Sequence, residues 1–116
     1  MRHLMLLRLD PGQVPDDGPD ERLIADMTAL IEDMTKAGVL LDTAGLSPES
    51  TRIRQTGGTQ TLTDGPFTES KEIIGGYCIL QTRSKEEALE WSRRFLRVHG
   101  PEWDIEVELR AIDHPA

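Results

Sequence analysis

The chain is short of the residues that usually announce a particular chemistry. It has one cysteine in 116 residues, Cys78, so an intramolecular disulfide is excluded and nothing calls for an oxidising compartment. Aromatic residues make up only 4% of the chain. No apolar run approaches the ~20 residues that a membrane span needs. The one short apolar stretch near the N-terminus is broken by Arg8 and Asp10, too early for a signal peptide. Basic charge is scarce as well: 13 Lys and Arg stand against 21 Asp and Glu, a net charge of -8. That balance repels phosphate backbones and anionic lipid, so neither nucleic acid nor a membrane surface is an expected partner. There is no Cys/His spacing of a zinc site and no calcium-loop periodicity. Gly57-Gly58 and Gly75-Gly76 are isolated pairs and form no phosphate-binding or dinucleotide pattern. The expectation is a cytoplasmic protein with neither metal nor cofactor.

What is present suits a small folded protein. Hydrophobic residues make up 37% of the chain, and at this length a single domain over 1–116 should hide about two thirds of its unfolded surface. Residues 3–9 form an apolar run closed by Asp10-Pro11-Gly12, a strand ending in a turn. A loop over 13–20 leads to Leu23, Ile24, Met27, Leu30, Ile31 and Met34, whose spacing gathers them on one helix face, and Lys36 and Gly38 end that helix. Val39 to Ala44 reads as a strand, and 51–56 and 59–63 as a hairpin turned at Gly57-Gly58. Ile73 to Thr82 reads as an interior strand in which Gly75-Gly76 marks a bulge or the close approach of another backbone or a ligand. Ser84 and Glu87 fit a capping box for a second helix with an apolar stripe of Ala88, Leu89, Trp91, Phe95 and Leu96, stopped by Gly100-Pro101. Ile105 to Ala111 alternates with period two, a strand with one buried face.

The order of elements predicts an α+β fold, a ferredoxin-like sheet with two helices on one face and an inserted β-hairpin. Two helices cover one side of a sheet, yet the first strand is apolar on both: Leu4 and Leu6 on one, Met5, Leu7 and Leu9 on the other. The second cover in so short a chain is another copy, sheet to sheet, and a homodimer is expected.

The most distinctive segment is Asp64-Gly65-Pro66-Phe67-Thr68-Glu69-Ser70-Lys71-Glu72, followed by Ile73-Ile74-Gly75-Gly76-Tyr77. Together with Met5-Leu6-Leu7, Ala37-Gly38-Val39-Leu40, Glu86 to Trp91 and Glu106 to Arg110, it resembles the YCII-related family, in the branch named for the Asp-Gly-Pro-Phe motif. The resemblance covers nearly the whole chain and implies a dimeric α+β barrel. Relatives in the wider family include a lactone dehalogenase-like enzyme with a His–Asp dyad. The branch is often encoded beside extracytoplasmic-type sigma factors, which implies a regulatory alternative. The family's histidine belongs on the first helix, and here that helix carries none between Asp20 and Ala37.

From the residues themselves, Asp64 either fixes its own Gly-Pro turn or faces a cleft as a general base, with Gly65, Pro66 and Phe67 as a ligand wall. His3 shares a strand face with Met5 and Leu7, so it meets a substrate only if that face lines the cleft between subunits. His99 sits at a helix end suited to a cation, and His114 in a terminal tail. Tyr77 either fills the core or presents its hydroxyl to a ligand. Two functions follow as expectations. One is a ligand-binding or proton-transfer protein acting on a small organic acid in a dimer cleft, with Asp64 and His3 as catalytic candidates. The other is a non-catalytic accessory protein for a sigma factor, meeting it through the acidic loop 16–21.

Overall fold

The computed structural model describes residues 1–65 and 73–113. Pro66 and Phe67, with the rest of that motif, and His114 lie outside the described residues. The elements run β1 (Arg2–Leu9), a 3-10 turn (Pro11–Gln13), α1 (Glu21–Lys36), β2 (Leu40–Gly45), β3 (Thr51–Thr56), β4 (Thr59–Asp64), β5 (Ile73–Gln81), α2 (Lys85–His99) and β6 (Ile105–Ala111). Four strands form one antiparallel sheet in the order β2-β5-β1-β6, while β3 and β4 pair only with each other. This is the ferredoxin-like α+β arrangement that the pattern of elements predicts.

The helices begin where side chains can satisfy the free N–H groups of a first turn. Asp20 accepts from Leu23 N–H at 2.8 Å, and Ser84 from Glu87 N–H at 3.2 Å. Glu87 reaches one residue further back than a simple capping box requires and accepts from Arg83 N–H. The start of α1 is also tied to the end of α2: the Arg22 guanidinium donates to the carbonyls of Val98 at 3.3 Å and His99 at 3.1 Å. A last-turn carbonyl has no partner within its own helix, so Arg22 caps α2 from outside.

Both helices pack on one face of the sheet. Met5 and Leu7 of β1, Cys78 and Leu80 of β5, Leu30 and Met34 of α1, and Ala88 and Phe95 of α2 form the buried cluster with Val39. Ile24 departs from the expected helix stripe; it is 57% exposed, one position off the line through Leu23, Leu30 and Met34. On α2 the buried line is Ala88, Ser92, Phe95 and His99, so two polar residues stand where an apolar stripe was expected to run. Each returns a hydrogen bond to the carbonyl four residues earlier: Ser92 Oγ to Ala88 at 2.8 Å, and the His99 Nδ1 position to Phe95 at 2.8 Å. Satisfied in this way, neither carries the full cost of burying a bare polar group.

The paired glycines serve packing. A Cβ on Gly76 would stand 3.0 Å from the carbonyl oxygen of Ala44 on β2, and one on Gly75 would stand 2.7 Å from Leu9 Cδ2. The β1–β5 register shifts between Leu7 and Arg8, opposite this pair, so the expected bulge and close backbone approach are both present.

The second sheet is an arm. Every residue of β3 and β4 is exposed, and the overall extents are 47 × 45 × 18 Å. The radius of gyration is 16.2 Å, against about 13 Å for an ordinary compact chain of this length.

Candidate functional site

The face of the four-stranded sheet opposite the helices carries nothing on it among the described residues. By strand alternation it presents Leu4, Leu6 and Arg8 from β1, Tyr77 and Ile79 from β5, Asp42 and Ala44 from β2, and Glu106, Glu108 and Arg110 from β6. Its centre is apolar and its margins are charged. On the β6 side Glu108 lies between Arg8 and Arg110, 3.4 Å from each.

On the β2 side the Tyr77 hydroxyl donates to Asp42 Oδ2 at 2.8 Å. This bond, reinforced by the carboxylate's negative charge, raises the Tyr77 pKa above its usual value. The phenol therefore stays protonated at neutral pH. The pair can give a ligand a carboxylate acceptor beside a phenol whose oxygen still accepts, but it is no source of phenolate base. Tyr77 was a candidate for either core or ligand; it lies on the open face, with its ring half-covered by the sheet. Asp42 was not foreseen, because its partner lies 35 residues away in sequence.

Directly behind Tyr77 in the strand, Cys78 points the other way, into the core, where it is 1% exposed. Burial raises the Cys78 thiol pKa, and the Thr43 hydroxyl lies 3.2 Å from Sγ. We expect the native protein to react slowly with a thiol reagent such as Ellman's, and one equivalent to react rapidly in guanidinium. Rapid reaction of the folded protein would show that β2 opens from β5 far more readily than the packing implies.

The two catalytic candidates are not brought together within the chain. His3 is 4% exposed and lies on the helix-covered face with Met5 and Leu7, so the condition for its meeting a substrate on the open face is not met. Its Nδ1 is buried with no hydrogen-bond partner among the described residues. Asp64 ends β4 at the base of the exposed arm, where its Oδ1 accepts from Thr51 Oγ1 at 2.9 Å, and Gly65 N–H closes the same base on the Ser50 carbonyl. That geometry ties β4 to β3 at the base of the arm. The arm springs from the Gly45 and Ile73 ends of β2 and β5, whereas His3 pairs with Leu80 near the other end of β5. His99 is likewise not the surface cation its position suggests. It is 6% exposed, edge-on to Phe95 and Trp103, and burial lowers its pKa.

A separate recess of about 400 Å³ lies where β1 ends and β6 begins, lined by Arg8, Leu9, Asp10, Gln13, Asp104, Ile105 and Glu106. With three carboxylates to one guanidinium it disfavours anions, and neither Asp64, His3 nor Tyr77 reaches it. No group of three or more His, Cys, Asp or Glu side chains suited to a metal ion occurs among the described residues. No helix there is long and apolar enough to cross a membrane.

Comparison of the sequence with known proteins places the chain in a family. An uncharacterized protein of Rhizobium meliloti (strain 1021) is 31% identical over 98 residues, covering 83% of this chain and 79% of that protein. The family model described as the YCII-related domain matches residues 1–99, which takes in β1 to β5 and α2. The chain belongs to the YCII-related family.

Proposed function

We propose that the protein works as a homodimer whose open sheet faces pack together, and that it binds a small organic acid in the hollow beside the Tyr77–Asp42 pair. The uncovered face carries this conclusion: Leu4, Leu6 and Ile79 form an apolar floor, with a hydroxyl–carboxylate pair on one margin and Arg8 and Arg110 on the other. An apolar floor with a few convergent polar groups is the usual form of a small-molecule site. Asp42 and Tyr77 would accept from a ligand hydroxyl, and Arg8 and Arg110, turning from Glu108, would pair with its carboxylate. The ligand-binding half of the expectation is retained, with Tyr77 as its residue. Proton transfer by His3 and Asp64 is not adopted, since one is covered by helices and the other closes the arm. Nor is the sigma-factor role taken up: the open sheet face, rather than the acidic loop 16–21, carries this reading.

The test is thermal melting against a panel of hydroxy acids, oxo acids and their neutral esters. A binding acid present at 100 times its Kd stabilises the wild type by about 2.7 kcal/mol, and Tyr77→Phe and Asp42→Asn lose most of that gain. If no acid raises the melting point, or if both variants respond as fully as wild type, the assignment is wrong.

A further inference from the structure

We propose that the β3–β4 arm is a clasp, which lies across the second copy and completes the dimer; this rests on the dimer reading above. The arm has two unlike sides. Thr51–Asp64 and Gln55–Gln60 hydrogen bonds mark one side, and between them Ile53 and Leu62 are directly paired. These two side chains are 67% and 64% exposed, among the barest large apolar groups on the molecule. The other side carries Arg54 and Arg52 among Thr56, Thr59, Thr61 and Thr63.

A two-stranded hairpin standing alone in water is marginal at best, and a side of paired Ile and Leu left in solvent adds to the cost. The arm nevertheless keeps an unbroken register from Thr51–Asp64 to Thr56–Thr59. A surface that covers Ile53 and Leu62 removes the conflict.

Surface area suits another copy of the chain as the occupant. The accessible surface is 8242 Å², whereas a compact chain of 13.0 kDa exposes about 6,300 Å², leaving about 1,900 Å² in excess. The open sheet face is four strands, about 19 Å, wide. A stable interface of standard size hides about 800 Å² on each partner, which lies well within that excess, and the fully exposed arm contributes to it. The fit in length is also good: a six-residue strand reaches about 20 Å, enough to cross such a sheet from edge to edge. Two-fold symmetry then gives two identical clasps, each copy held by the other's arm.

Sedimentation equilibrium over a range of concentrations tests this with three proteins: wild type, Leu6→Glu on the sheet face, and the double variant Ile53→Glu/Leu62→Glu on the arm. We expect a wild-type dimer that both variants weaken, the arm variant by at least about tenfold in Kd. A monomeric wild type overturns the dimer reading and the clasp with it. A wild-type dimer that Leu6→Glu breaks, while the arm variant keeps the wild-type Kd, overturns the clasp alone. Hydrogen exchange on the unmutated protein gives an independent reading: amides of 51–64 should be protected at concentrations well above Kd and exchange freely well below it. Protection that does not change with concentration also overturns the clasp.

Discussion

Leu80→Ala is expected to lower the unfolding free energy by about 3 kcal/mol in a urea titration and the melting temperature by roughly 10 °C. Leu80 is fully buried on the central strand β5, opposite His3 of β1 and Leu40 of β2, and belongs to the cluster shared by both helices. Truncation removes the transfer energy of the missing carbons and leaves a cavity that strands paired on both sides cannot collapse to fill. A loss below about 1 kcal/mol would mean that α1 and α2 move in to close it. The helix layer would then be far softer than its packing indicates.

The second large effect is on pH. His99 is buried and its folded pKa lies below the ordinary 6.5 because charging it would strand a cation out of water. The bond to the Phe95 carbonyl works in the other direction, and burial outweighs it. The unfolded chain therefore binds a proton in a range where the native protein does not. Stability from this group is fully present above the unfolded value and falls as the pH drops below about 6.5, levelling off once the lowered folded pKa is passed. Melting curves at pH 7.5 and 5.5 should show a clear loss in the wild type. In His99→Gln the slope should be smaller, although that variant starts from lower stability. Equal slopes in the two proteins would show that His99 titrates freely despite its burial.

The fold was legible because its signals are local. Period-two runs, a helix-spaced apolar line, Ser84 before Glu87, and Gly57-Gly58 between Thr-rich segments each specify an element from a few neighbouring residues. The two-sided apolar character of β1 was equally readable, but not which side the helices take: Leu4 and Leu6 are as hydrophobic as Met5 and Leu7. That one undetermined choice is what carried His3 beneath the helices. Ser92 and His99 escaped because hydropathy scores them as polar, whereas their burial is made possible by a backbone carbonyl one turn back. Their spacing, at four and eleven residues from Ala88, was the available signal. Asp42 left no local trace, since only the β2–β5 pairing brings it to Tyr77. Membership of the YCII-related family was readable from motif order, as was the absence of histidine from α1.

Arg22 gives the two helix ends a shared fate. Because one guanidinium holds both terminal carbonyls of α2 while extending from the opening turn of α1, neither end can fray without releasing the other. Residues distant in sequence thus become one cooperative opening unit, and their amides should exchange with solvent at a common rate.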